Sequence, residues 1–163
     1  MPKQQYNVLF LCTGNSARSI MAEAITNKLG NGRIRAFSAG SFPKGEVNPL
    51  TLHTLQQHGY PIDGLRSKGW EEFNGPQAPH MDFIFTVCDD AANEVCPVWP
   101  GHPMTAHWGF ADPARSEGDE AHRQNAFNHS LIEISHRIRL FLSLPPDKID
   151  HLALQQLHAE ASR

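Results

Sequence analysis

One stretch, Tyr6 to Ile20 (YNVLFLCTGNSARSI), constrains this chain more than any other. Val8-Leu9-Phe10-Leu11 is an apolar run too short for a helix and rich in strand formers. It passes directly into Cys12-Thr13-Gly14-Asn15-Ser16-Ala17-Arg18-Ser19, and then into Ile20 to Leu29, which is mostly good helix formers. The reading is strand, small-residue loop, helix. In that unit the loop amides and the helix N-terminus converge on one point, which is a ready anion site. Gly14 and Asn15 are the residues that tolerate the positive φ such a cradle requires. Thr13, Gly14, Asn15, Ser16, Ala17, Arg18 and Ser19 are therefore the expected oxyanion-binding residues. Arg18 can close over a tetrahedral oxyanion with two parallel hydrogen bonds. Cys12 stands at the loop entrance, where the dipoles and Arg18 favour the nucleophilic thiolate. Ser19 is placed to donate a hydrogen bond to it.

At 163 residues the chain is expected to form one domain, with a core over about 6–142 and an extension over 143–163. The net charge of −3 offers no electrostatic reason to expect nucleic acid. No apolar run approaches the roughly 20 residues of a membrane span. The run after Met1-Pro2-Lys3-Gln4-Gln5 is too short for a signal peptide, so the cytoplasm is the default expectation. In that compartment three cysteines point to catalysis or redox chemistry, and one nucleophile plus one redox pair accounts for all of them.

The rest of the chain alternates. Gly30-Asn31-Gly32 stops the first helix. Arg35 to Gly40 reads as a second strand, and Ser41 to Val47 as a loop holding Pro43 and Gly45. Asn48 as N-cap and Pro49 at the first helical position open a helix to about His58. Tyr60 to Pro79 is irregular, with a short helix near Trp70 to Phe73. Asp82 to Val87 is apolar on both faces, as a buried parallel strand should be. Met104 to Trp108 is a weaker fourth strand. Ser116 is the expected cap of a long helix from about Asp119 to Leu142, with Phe127, Leu131, Ile134, Ile138 and Leu142 at helical spacing. Lys148 to Ala161 is a further short helical candidate.

This pattern predicts an α/β fold: a four-stranded parallel sheet with helices on both faces, in the flavodoxin-like three-layer class. Ligands of such sheets lie beyond the carboxyl ends of the strands. Cys12 follows the first strand, Cys88 the third and Asp112 the fourth, so all three are expected at one edge.

These residues carry a resemblance. Cys12 to Ser19 is similar to the phosphate loop of low-molecular-weight protein tyrosine phosphatases. The whole chain resembles more closely the arsenate reductases built on that phosphatase-I-like fold. Ser38-Ala39-Gly40, Val47-Asn48-Pro49, the Cys88 to Cys96 stretch and His107-Trp108-Gly109-Phe110-Ala111-Asp112-Pro113-Ala114 extend it over roughly residues 6–142. The resemblance implies a catalytic set of Cys12, Arg18, Ser19, Cys88, Cys96 and Asp112. Asp112 would be the general acid. Cys12 would attack arsenic, Cys88 would attack the Cys12 sulfur, and Cys96 would take over Cys88 as a disulfide. Thioredoxin, or glutaredoxin with glutathione, would then reduce that disulfide. The implied substrate is arsenate, with phosphate or sulfate as mimics, and the implied protein is a monomer without cofactor or metal.

Departures from the family pattern sharpen the expectation. Seven residues separate Cys88 from Cys96, one more than in the thioredoxin-coupled members, so the reductant stays open between the two systems. Ala17 stands where those members carry a further cysteine. They also hold a potassium ion through Asn, Glu, Ser and Asp side chains; Asn15, Glu23 and Ser38 match three of these, and Lys68 replaces the Asp. An ammonium in the cation's place predicts no potassium requirement. Ala114-Arg115 follows Asp112-Pro113 in place of the tyrosines that grip an aryl group, which argues against phosphotyrosine. His122, His129 and His136 recur every seven residues, about 10.5 Å apart along a helix, and so cannot share one ion. His107 and Trp108 are expected to shape the pocket. The rival readings are a low-molecular-weight phosphatase or small-molecule phosphomonoesterase, and a non-catalytic anion-binding or redox-sensing module.

Overall fold

A computed structural model of the chain describes residues 5–89, 98–99, 101, 105–145 and 147–149. Strand β1 (Tyr6–Cys12) leads through the small-residue loop into α1 (Arg18–Leu29), which is followed by β2 (Ile34–Gly40) and α2 (Pro49–Gln57). A 3-10 helix (Trp70–Phe73), β3 (Phe83–Thr86), β4 (Ala106–His107), a second 3-10 helix (Pro113–Arg115) and α3 (Glu120–Leu142) complete the described elements. Every strand pair is parallel, in the order β2-β1-β3-β4. β1 is central because it is the most apolar strand; Val8, Leu9, Phe10 and Leu11 are buried on both faces of the sheet.

The two faces are covered differently. Val8 and Phe10 of β1 and Phe83 and Phe85 of β3 pack against α1 and α3, with α2 leaning on both helices. Phe85 stacks on Trp108 at 4.1 Å between ring centroids, and Phe141 meets both edge-on. Leu9, Leu11 and Ile84 face the other way and are covered by Met81, Trp99 and the Trp70–Phe73 turn. Alternation along one strand thus supplies two separate cores.

Local signals read from the sequence hold at α2, where Asn48 Oδ1 accepts from Leu50 N at 2.9 Å and Pro49 occupies the first position. They need correction at α3. Its cap is Asp119, whose Oδ1 accepts from His122 N at 2.8 Å. Ser116 instead closes the preceding 3-10 helix by donating to Pro113 O at 2.7 Å. Both residues are good caps, and the tight turn after Pro113 claims the serine first. Phe127, Leu131, Ile134 and Ile138 are buried as expected, but Phe141 rather than the half-buried Leu142 ends the core stripe. β4 is two residues long, and Met104 lies outside the described residues, as does most of the expected helix over 148–161. His122, His129 and His136 stand on the solvent side of α3. Among the described residues no helix is long and apolar enough to cross a membrane.

Candidate active site

The register fixes which loops meet. Leu11 lies opposite Thr86, and Val87 N donates to Leu11 O at 2.9 Å, so Val87 comes alongside Cys12 as both chains leave the sheet. Cys12 is paired with Gly40 on the other side. A Cβ at Gly40 would collide with the Thr13 carbonyl, so only glycine lets the loop turn so closely over β2.

The loop itself takes one left-handed residue, Asn15, at φ 46°. Gly14 does not use a positive φ, contrary to the sequence expectation; its missing side chain instead makes room for the Lys44 stem, which would lie 3.2–3.5 Å from a Cβ there. Asn15 can hold the strained backbone because its side chain is fully engaged. Nδ2 donates to Ser19 Oγ at 2.7 Å and to Ser38 Oγ at 3.0 Å, while Oδ1 accepts from Lys68 N at 2.8 Å. Its backbone N–H points at Cys12 Sγ, 3.2 Å away. Ser19 Oγ lies 2.9 Å from the same sulfur. Ser19 Oγ, which accepts from Asn15 Nδ2, keeps its own proton available to the sulfur. Two groups able to donate a hydrogen bond therefore converge on Cys12 Sγ. Ser16 O is held from behind by Asn48 N at 3.0 Å and Thr51 Oγ1 at 2.8 Å, which gives Val47-Asn48-Pro49 its place in the site.

Arg18 is the first residue of α1, two positions earlier than the sequence reading began the helix. The N-cap is Ala17, with no side-chain cap, so the first amides of α1 face the loop's own anion site. The guanidinium is buried. It donates to Phe110 O at 3.1 Å and Val87 O at 3.4 Å, and its Nη2 lies 3.6 Å from Asp112 Oδ2. One side chain thereby joins the ends of β1, β3 and β4. Asp112 caps its own 3-10 helix through Oδ1, which accepts from Ala114 N at 3.0 Å, and leaves Oδ2 toward Arg18.

These groups line a cavity of about 430 Å³, bounded by Cys12 to Arg18, Asp112, Ala114 and Arg115, together with Phe42 and Lys44. The last two were not singled out in the sequence. The available signal was their position directly after β2 at the same sheet edge. Ser19 does not line the cavity; it is buried beneath Cys12. Cys88 is likewise fully buried and does not line it. Cys88 is half of a disulfide, whereas the Cys12 thiol is free. Cys96 lies outside the described residues. His107 and Trp108 stay clear of the cavity: His107 Nδ1 pairs with Thr86 Oγ1 at 2.8 Å, and Trp108 belongs to the aromatic core.

A polar chain runs back from Asn15. Ser38 Oγ donates to Glu23 Oε1 at 2.5 Å, and Lys68 Nζ lies 3.5 Å from Glu23 Oε1 and 3.5 Å from Ser38 Oγ while donating to Arg66 O at 2.9 Å. Burial pushes the Glu23 carboxyl above its usual range, opposed by Lys68 and by the Ser38 hydrogen bond. Burial pushes the Lys68 ammonium down, opposed by Glu23. The donor set that resembles a potassium site does not fit a separate cation here. An ammonium already sits against Glu23 and Ser38, and Asn15 Oδ1 is committed to Lys68 N.

A free, hydrogen-bonded cysteine at the foot of an uncapped helix, with an arginine and a carboxylic acid across the same cavity, is the arrangement of thiol-dependent enzymes that work on tetrahedral oxyanions. The family model described as low molecular weight phosphotyrosine protein phosphatase matches residues 7–159, and the chain belongs to that family. Among its relatives are the arsenate reductase of Bacillus licheniformis, 37% identical over 135 residues (82% of this chain and 93% of that protein), and that of Bacillus subtilis, 34% identical over 134 residues (82% and 93%). A solved arsenate reductase from Archaeoglobus fulgidus superposes with a TM-score of 0.68 at 27% identity, covering 84% of this chain and 99% of that one.

Proposed function

We propose that this protein is an arsenate reductase that works by a thiol relay. The observation that carries the reading is the second cysteine behind the nucleophile. Cys88 follows the strand next to that of Cys12, adjoins the Val87 carbonyl that Arg18 grips, and is oxidised while Cys12 is free. A phosphatase needs only the first cysteine; the reduction of arsenic by two electrons needs a further pair of thiols.

Arg18 and the loop amides bind the oxyanion, and the Cys12 thiolate displaces one arsenic-bound oxygen, which leaves as water after proton transfer from Asp112. The Cys88 thiolate then attacks the Cys12 sulfur. The sulfur–arsenic bond breaks, its electron pair stays on arsenic, and arsenite departs from a Cys12–Cys88 disulfide. The Cys96 thiolate attacks Cys88, which releases Cys12 and forms a Cys88–Cys96 disulfide. A dithiol of the thioredoxin type, or glutaredoxin with glutathione, returns that pair to thiols. The relatives named arsenate reductase support the substrate; the exposed Phe42 at the cavity mouth leaves room for some hydrolysis of aryl phosphates by Cys12, Arg18 and Asp112 alone.

The test is single-turnover chemistry. Cys96→Ser given arsenate should release about one arsenite per chain and accumulate a Cys12–Cys88 disulfide on non-reducing peptide mapping. Cys88→Ser should release none with thioredoxin present, yet retain hydrolysis of p-nitrophenyl phosphate. Arsenate turnover by Cys88→Ser at the parent rate would refute the relay.

A further inference from the structure

We propose that Lys44 and Arg115 form a cationic rim that selects for anionic substrate at the cavity mouth and releases the neutral product. The inference deepens the arsenate reading and rests on it for the identity of the substrate.

Three observations carry it. The loop bearing Lys44 is bonded to the oxyanion loop residue by residue. Ser41 N donates to Cys12 O at 3.2 Å, Phe42 N to Thr13 O at 2.9 Å and Lys44 N to Gly14 O at 2.9 Å, while Ser67 Oγ bridges from Gly45 N to Gly14 O. The Lys44 stem then lies across the bare Cα of Gly14, so its ammonium is carried at the cavity rim. Arg115, exposed at the end of the three-residue turn that Asp112 caps, lines the same cavity. Neither cation is paired with a carboxylate among the described residues, unlike Arg66 with Glu72 or Arg18 with Asp112.

The charge balance gives these two residues their consequence. Arg18 and Asp112 compensate one another across the cavity, and a Cys12 thiolate adds a negative charge. Without the rim, an approaching arsenate dianion would meet the pull of the loop amides and Arg18 offset by Asp112 and the thiolate, on a chain whose net charge is −3. With Lys44 and Arg115 the mouth attracts it. The product is the uncharged acid As(OH)3 at neutral pH, on which the same field has no grip. The rim thus raises substrate capture without slowing product release, an effect of differential binding that electrostatic focusing in a concave site amplifies.

The field can be read independently of arsenic chemistry. Alkylation of Cys12 by anionic iodoacetate and by neutral iodoacetamide, followed on the Cys12 peptide by mass spectrometry, gives a rate ratio. The neutral reagent normalises for thiol reactivity and for folding. In the Lys44→Gln/Arg115→Gln double variant this ratio should fall about three- to tenfold at low salt. Each single variant should lie between, and the salt dependence of the ratio should flatten. Lys44→Glu should lower it further than Lys44→Gln. The KM for arsenate should rise by a similar factor. An unchanged ratio in the double variant overturns the rim, and so does a lowered ratio with an unchanged KM for arsenate. If the parent reduces no arsenate at all, the ratio still decides the rim, read with inorganic phosphate as the protecting anion, and only the identity of the substrate falls.

Discussion

Replacing Asn15 by alanine should remove the keystone of the nucleophile's surroundings. The side chain is fully buried and ties its loop to three other segments: it donates to Ser19 and Ser38 and accepts from Lys68 N. Truncation orphans the Lys68 amide, a buried donor whose loss costs about 1–3 kcal/mol. The two serines lose a donor each but keep rotatable hydroxyls, so each costs about 0.5–1 kcal/mol. Alanine at φ 46° adds about 1 kcal/mol of left-handed strain that asparagine tolerates. The expected total is about 4 kcal/mol, a large part of the roughly 5–15 kcal/mol by which a domain is stable. In urea, with an m-value of about 2 kcal/mol/M, the midpoint should fall by about 2 M. Asn15→Gly separates the two causes. It loses the same hydrogen bonds but not the strain, and after the roughly 0.5–1 kcal/mol of entropy that glycine forfeits it should be more stable than Asn15→Ala by up to about 0.5 kcal/mol. Both variants should alkylate Cys12 more slowly than the parent at neutral pH, since Asn15 no longer holds Ser19 beside the sulfur. A midpoint for Asn15→Ala within 0.5 M of the parent, or alanine outperforming glycine, would refute the reasoning.

Three further outcomes follow from the same geometry. Arg18→Lys keeps the charge but cannot span Phe110 O, Val87 O and an oxyanion at once; protection of Cys12 by phosphate should weaken at least tenfold, and equal protection would show that the planar fork is not used. Asp112→Asn preserves the cap on Ala114 N but has no proton to give, so turnover should fall about 10²–10⁴-fold with little change in urea midpoint. The Glu23–Lys68 pair links stability to pH. Glu23, with its pKa raised by burial, is least costly below about 4.5, and its cost grows as pH rises through its folded value; Lys68, lowered by burial, is least costly above about 10.5, and its cost grows as pH falls through its folded value. Lys68→Met should destabilise by about 3 kcal/mol at pH 7, and the loss should shrink as acid protonates Glu23. Adding Glu23→Gln should restore most of the loss at pH 7, as read from urea midpoints at each pH; a loss independent of pH would exclude the charge explanation.

What the sequence determined by itself was local. The β1–loop–α1 unit, the Asn48-Pro49 start of α2, the doubly buried β3 and the apolar stripe of α3 are each written within a few residues, because strand burial, capping and helical periodicity act over one or two turns. The parallel sheet and the shared edge for Cys12, Cys88 and Asp112 followed from alternation alone. Tertiary structure decided which local option was taken wherever two competed. Asp119 rather than Ser116 caps α3, and Asn15 rather than Gly14 turns left-handed. It also decided every relation across the chain. Arg18 reaches carbonyls 69 and 92 residues away, Asn15 accepts from an amide 53 residues away, and the Lys44 stem lies on Gly14. Cys88 is buried and does not line the cavity. No periodicity encodes such contacts, since they exist only after the strand order β2-β1-β3-β4 has closed the intervening loops. Local propensity places a cysteine at the end of a strand; only packing decides which donors point at its sulfur.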